Sequence, residues 1–189
     1  EVGYKHSGSN WNLYATLFDT VTEETQAELT SGLTFVREYD ATGIELEGDI
    51  DLGDYFLIRG NATWTDAEIS KDANDQTVVG NTPRRQADFI YTISPQVQLD
   101  RFVAGAVLQG STDYFLQDNN DLKQKGYTLV NLFANWDISD DLTLYFNVNN
   151  ATDEFVITES EEGSGAVGSI IRARPLSGRS SSIGITYRF

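Results

Sequence analysis

The chain has no cysteine, no methionine and one histidine, and its 189 residues carry only 13 Lys and Arg against 29 Asp and Glu. Without cysteine, neither a disulfide framework nor a thiolate metal site can be built. A lone His6 rules out a multi-histidine zinc centre. The net charge of -16 argues against nucleic acid as a partner, because phosphate contacts require Lys and Arg. No run approaches the roughly 18 apolar residues of a membrane-spanning helix. No segment offers a convincing apolar stripe of helical period either. With no Met to initiate it and no basic-then-apolar leader, the chain is expected to be a mature product or a fragment.

What is present is alternation. Apolar side chains recur at every second position: Val2 and Tyr4; Leu13 to Leu17; Ile44 to Leu52; Phe56 to Trp64; Ala87 to Ile93; Phe102 to Leu108; Val130 to Trp136; Leu142 to Val148; and Ile183 to Phe189. A period of two describes strands with one apolar and one polar face. The expected fold is therefore all-β, with about nine strands. A strand crosses a bilayer in about 9–11 residues with only alternate ones apolar, so a mean hydropathy of -0.34 is compatible with a membrane barrel. The terminal SSIGITYRF, with Ser182, Gly184, Tyr187 and Phe189, resembles the carboxy-terminal signal that barrel-assembly machinery reads in outer-membrane proteins.

The connections sort by length. Short turns are expected at 7–10, 53–54, around Pro95 and at 139–141, and long polar loops at 21–40, 68–83, 113–125 and 153–175. Outer-membrane barrels alternate short periplasmic turns with long extracellular loops, whereas a soluble sandwich has the same solvent at both ends. The reading is an antiparallel up-and-down transmembrane β-barrel, of which this chain is the carboxy-terminal portion. The strand at 1–6 would begin on the outer side of the membrane, and nine is an odd number where single-chain bacterial barrels have an even one. Trp136, Phe56, Tyr91, Tyr187 and Phe189 are assigned to a lower aromatic girdle and Trp64 to an upper one.

On the other face, Glu45, Glu47, Asp49 and Asp51 form an acidic ladder with rungs about 6.8 Å apart. Carboxylate pairs about 5–9.5 Å apart also serve glycoside hydrolysis. This ladder is repetitive, though, and marks no single carboxyl for a raised pKa. There is no GxSxG elbow, and Asp118 to Asp121 lack the Gly and Glu of a calcium loop. No enzyme, cofactor or metal site is expected.

Several segments, taken in order, resemble the barrel of TonB-dependent outer-membrane receptors: EVGYKHSGSNWNLYATLFDT, TGIELEGDIDLGDYFLIRGNATWTDAEI, GNTPRRQADFIYTIS, GYTLVNLFANWDISDDLTLYFNVNNATDE and GRSSSIGITYRF. The resemblance implies a Gram-negative outer-membrane location and a barrel of about 22 strands. It also implies a plug domain, absent from this chain together with the first strands, and a TonB energy-coupling protein acting through it. The implied work is import of a scarce solute: a ferric siderophore first, an oligosaccharide or cobalamin second. A small structural or adhesive barrel is the rival from another class, and a water-soluble sandwich a third.

Under the resemblance, Glu45 and Glu47 are plug contacts. Arg84, Arg85, Arg172 and Arg174 are candidate ligand contacts, because guanidinium forks suit carboxylate, phosphate and catecholate oxygens. Tyr114 and Phe115 are candidate stacking surfaces. The competing reading pairs these arginines with the loops' own carboxylates or with lipopolysaccharide phosphates. Expected partners are thus membrane lipid and lipopolysaccharide, the plug, TonB, the assembly machinery and a small solute.

Overall fold

The computed structural model describes residues 1–27, 34–160 and 172–189. Strands β1 (Val2–Ser7), β2 (Trp11–Ala27), β3 (Thr34–Leu52) and β4 (Phe56–Asp72) open the chain. β5 (Phe89–Leu99), β6 (Phe102–Ser111), β7 (Tyr114–Phe115) and β8 (Lys123–Gln124) follow. The chain closes with β9 (Tyr127–Asp137), β10 (Leu142–Asn149), β11 (Ile157–Ser160), β12 (Ala173–Pro175) and β13 (Ser180–Tyr187). Nine of these make one antiparallel sheet in the order β1-β2-β3-β4-β5-β6-β9-β10-β13. β7–β8 and β11–β12 are small ladders inside the long connections. Among the described residues no helix is long and apolar enough to cross a membrane, which says nothing of crossing by strands.

The register fixes the two faces. Tyr4, Ala15, Leu46, Ala62 and Tyr91 stand opposite one another on successive strands, as do Leu17, Ile44, Trp64 and Phe89. These rows share the apolar face, and much of it is bare: Trp64 is 47% exposed, Trp136 50%, Ile183 71%. Side chains of that size left open across a whole sheet require an apolar surrounding, which for the barrel expected from the sequence is lipid. The span Ile44–Leu52 on β3 has the length of a tilted membrane strand. One row above Trp64 the same face turns polar, with Asp19, Thr42 and Asp66 in register, and then Asp40 and Glu68. Near the short turns the His6 ring stacks on Trp11 at 4.0 Å, so the lone histidine joins the aromatic edge of the apolar face.

Four expectations need correction. Much of the loop assigned to 21–40 is strand: β2 and β3 stay paired from Val21↔Asp40 up to Ala27↔Thr34, and residues 28–33 lie outside the described part. Above the lipid boundary no apolar outward side chain is needed, so alternation fades while the backbone ladder continues. β4 likewise runs on to Asp72, through a bulge near Glu38 and Tyr39 of its partner. Pro95 does not turn the chain. It sits inside β5 opposite Ile58, pairing with β6 lapses at Ser94 and Pro95, and the turn falls at Asp100 and Arg101. Tyr91 consequently belongs to the upper end, beside Phe89, and not to the lower girdle.

Most of the buried apolar residues among those described, Ile69, Val78, Leu116 and Val156 among them, lie in or beside the long connections, while Leu57 is buried beside the short turn between β3 and β4. Elsewhere packing is side chain on backbone. At Gly43 on the polar face, a Cβ would overlap the Trp64 carbonyl oxygen and the Phe18 ring. At Gly184 it would overlap the Tyr145 ring, which lies across β13 from the facing strand. Gly43→Ala is expected to destabilise the barrel by about 1–3 kcal/mol, because backbone must move. Gly184→Ala should cost less, since only the end of a ring must swing away, and Tyr145→Leu should remove that cost. Denaturant unfolding of the protein in detergent, followed by tryptophan fluorescence, measures all three. Equal losses for the two glycine variants would contradict the assignment.

Candidate functional site: a cavity at the mouth of the wall

At the end with long connections, the polar face of the sheet holds a cavity of about 310 Å³. Strands supply Thr65, Ile90, Ser111 and Tyr127, and the connections supply Arg85, Gln86, Ala87, Tyr114, Thr158 and Ser160. The strand residues are on the polar face by register: Ile90 opposes Ser111, and Ser111 opposes Tyr127. Ala87 bridges to Tyr114, which brings the 73–88 connection against β7. Arg85 takes a left-handed backbone, φ 63°, its amide donating to the Phe115 carbonyl at 2.7 Å and its Nη2 to the Ser160 carbonyl at 3.1 Å. Burial, with a smaller contribution from neighbouring Tyr127, raises the Tyr114 pKa against the opposing pull of the Arg85 charge; the phenol stays protonated. Ser111 and Ser160 each bury a hydroxyl oxygen with no hydrogen-bond partner among the described residues.

A buried ionic clasp fixes the loops around this cavity. Arg37, near the end of β3, donates from Nε to Asp72 Oδ2 at 2.7 Å and from Nη1 to Asp118 Oδ2 at 2.6 Å. The side chains of Arg37, Asp72 and Asp118 are 13%, 3% and 12% exposed, so solvent screens them little. Burial alone would favour losing the Arg37 proton. Hydrogen bonds with Tyr39, Asp72 and Asp118 outweigh it and raise the pKa. Burial also pushes Asp72 upward, but the amides of Asp75 and Asn74 and the Arg37 charge carry it below the usual carboxylate range. Asp118 further accepts from the Arg84 amide at 2.9 Å, and its carbonyl from Asn81 Nδ2. Asn120 closes the seam through both Thr82 backbone groups.

The candidate residues separate accordingly. Arg85 and Tyr114 meet in the cavity. Arg84 turns towards Asp118, with Nε 3.9 Å from its carboxylate. Alternation along β7 directs Phe115 away from Tyr114, and the Lys123 ammonium lies 5.2 Å from its ring centroid. Arg172 and Arg174 are exposed beside and on β12, whose Arg174 carbonyl accepts from the cavity residue Thr158. Glu45 and Glu47 stand exposed on the polar face far below, while Asp49 is held by Asn12 at 3.0 Å. Ser182, Gly184 and Tyr187 lie on β13, at the edge of the sheet, with the Phe189 ring edge-on to Tyr187. Sequence reasoning missed Tyr127, Ser111 and Ser160, and also Arg37 and Asp72. In the sequence Asp118 stands out only as part of a calcium-like tip. Among the described residues no group of His, Cys, Asp and Glu is arranged to hold a metal ion.

Removing one member of the clasp leaves buried charge unpaired. Arg37→Leu is expected to cost about 3–5 kcal/mol locally, read as faster hydrogen exchange in 73–88 and 112–126 with exchange in β9 and β10 unchanged. Because the folded Asp72 pKa is depressed, its contribution is complete above the unfolded value near 3.9 and is lost as pH falls below it. Protection of these loops should therefore be flat from about pH 7 to 5 and fall only in stronger acid. A loss near pH 6 would contradict this.

The fold has many counterparts. A family model described as TonB dependent receptor-like, beta-barrel, matches residues 1–151. A search of curated proteins finds no match. Among solved structures, the siderophore receptor PiuA from Acinetobacter baumannii superposes with a TM-score of 0.77 at 19% identity, over 98% of this chain and 27% of that one. The ferric yersiniabactin uptake receptor FyuA from Yersinia pestis gives 0.73 at 17% identity, over 97% and 28%. The ferric-catecholate import receptor Fiu from K12 E. coli gives 0.75 at 16%, over 99% and 26%. At these identities the likeness is one of fold, and the chain spans about a quarter of each structure's length. The apolar face is thus the lipid face, the polar face the lumen, and the cavity sits at the outer mouth. The chain belongs to the TonB-dependent receptor β-barrel family of the Gram-negative outer membrane, a family of transport receptors.

Proposed function

We propose that the receptor carrying this wall imports a scarce solute, a ferric siderophore foremost, by energy-coupled movement of a plug that fills the lumen. The observation that carries the reading is the lumen ladder. Glu45 and Glu47 project from β3 on the lumen side without a hydrogen-bond or ion-pair partner among the described residues. A stack of carboxylates in a closed barrel needs cations opposite it, and a plug bearing arginines supplies them. Siderophore is preferred to oligosaccharide or cobalamin because the neighbours PiuA, FyuA and Fiu are siderophore or ferric-chelate receptors. Arg85 and Tyr114 are the ligand contacts most favoured by their shared cavity. Arg84, Arg172, Arg174 and Phe115 follow as outer contacts, and Ser182, Gly184, Tyr187 and Phe189 serve assembly.

In cells lacking their own siderophore receptors, the full-length receptor is expected to restore uptake of a radiolabelled iron chelate only when TonB is present. Glu45→Gln with Glu47→Gln should loosen the plug, raising entry of a large antibiotic that the wild-type barrel excludes. Uptake that persists without TonB would overturn energy coupling, and an unchanged antibiotic barrier would overturn the plug-contact role.

A further inference from the structure

We infer that the lipid face carries a seat for one phospholipid of the periplasmic leaflet, its acyl chain over Gly48 and Gly60 and its headgroup end at His6 and Trp11. The inference goes beyond import and does not depend on the solute. It starts from the glycines. Gly43, Gly105, Gly110 and Gly184 lie inside the sheet, and at each an added Cβ would run into a ring of the neighbouring strand: Phe18, Phe133, Tyr91 and Tyr145 in turn. Such a ring covers the backbone that the missing side chain leaves bare. Gly48 and Gly60 have no ring over them. They stand opposite each other on β3 and β4, and the atoms nearest an added Cβ are backbone and, at Gly60, Ile93.

Register puts both glycines on the lipid face, level with Leu13 of β2 and Ile93 of β5. The result is an open notch of about 400 Å³, floored by the two glycines, walled by Leu13 and Ile93, and running from Trp11 near the short turns to Ala62. Leu13 and Ile93 are three strand spacings apart, about 14 Å between backbones, which leaves room for a hydrocarbon chain between their side chains. The polar residues alternating with these point to the lumen. Two observations name the occupant. First, the notch is continuous with the face that meets hydrocarbon. Filling it there gains dispersion contacts that a void forfeits, and an acyl chain is the flexible apolar body at hand.

Second, the foot of the notch has a polar anchor. His6 stacks on Trp11 at 4.0 Å, and a Cβ on Gly8 would stand 3.2 Å from His6 Nε2 and 3.4 Å from Trp11 Nε1. Two ring nitrogens thus converge on one point beside the 7–10 turn, where a lipid phosphate or ester oxygen can accept from the indole N–H. Trp11 belongs to both parts, its ring lining the notch and its nitrogen facing the turn. A chain descending from the outer leaflet would first have to cross the row of Leu17, Ile44 and Trp64.

The test is native mass spectrometry of the protein released from detergent after equilibration with palmitoyl-oleoyl phosphatidylethanolamine, and separately with lipopolysaccharide. One phosphatidylethanolamine is expected to remain bound in a saturable way. Ala62→Phe fills the top of the notch and should lower the retained fraction at least fivefold, and His6→Ala should lower it severalfold. Ala104→Phe puts the same ring on the lipid face of β6, away from the notch, and should change nothing. Equal retention by the wild type and Ala62→Phe, equal loss in Ala62→Phe and Ala104→Phe, or no retained lipid overturns the seat. Retention unchanged in His6→Ala overturns the headgroup end, and preference for lipopolysaccharide overturns the periplasmic leaflet.

Discussion

In hydrocarbon an unpaired peptide group has no water to turn to, so a chain that crosses without helices must pair every strand with a neighbour. The nine-stranded ladder meets that demand between its edges, and the remaining architecture follows from it. Sequential strands pair with each other, which forces the meander. The meander sends alternate connections to opposite sides of the membrane. Side chains then fall on two faces with no freedom of choice, and each face takes its character from what it meets. This is why the largest apolar residues here are bare while most of the few buried ones, Leu57 aside, lie in or beside the long loops. The edges, β1 and β13, are where the same demand is left open in this length of chain.

The ladder does not stop at the membrane surface. β2, β3 and β4 continue above the Leu17, Ile44 and Trp64 row, and their outward side chains turn polar within one step, with Asp19 and Asp66 flanking Thr42. That extension lifts Arg37 and Asp72 to the height of the long connections, where Asp118 can reach the same guanidinium. A buried ion triad is a poor source of net stability, since desolvation offsets much of its attraction. Its value is in geometry, because planar guanidinium donors accept two carboxylates in one arrangement only. The result is that the 73–88 and 112–126 connections are held as one unit, leaving the mouth cavity walled on one side by strand and on the other by braced loop.

The membrane part of this arrangement was plain in the sequence because lipid enforces a strict period of two. All nine strands of the sheet could be read, and so could the alternation of short and long connections except between β2 and β3, where pairing up to Ala27↔Thr34 leaves only residues 28–33. The errors fall where that enforcement ends. The upper halves of β2 and β3 carry Thr, Glu, Tyr and Val without alternation, and so read as loop although their backbone pairing is unbroken. Pro95 read as a turn because a strand's need for its missing N–H depends on the neighbour, which local sequence does not encode. The cavity was half legible. Arg85 and Tyr114 stood out as a cation and an aromatic in polar loops, but Ser111, Tyr127 and Ser160 are unremarkable until the register and the long-loop ladders bring them together. Arg37 and Asp118 are 81 positions apart, and no spacing rule links them.

The neighbouring residues Arg84 and Arg85 show how the clasp and the cavity depend on each other. Their sequence gives no reason to treat them differently. In the structure the Arg84 amide is bound to Asp118, and one residue later the chain takes a left-handed turn that points Arg85 to the opposite side. A non-glycine residue in that region carries strain on the order of 1–2 kcal/mol. The strain is sustained because the flanking contacts, Arg84 to Asp118 and Arg85 to Phe115 and Ser160, over-determine the turn. Asp118 is itself placed by Arg37, so the orientation of Arg85 towards the lumen is set by an arginine on β3 that does not line the cavity. Strained backbone held by a buried charge network is a costly way to aim one side chain. The clasp and the cavity wall are therefore one mechanical unit.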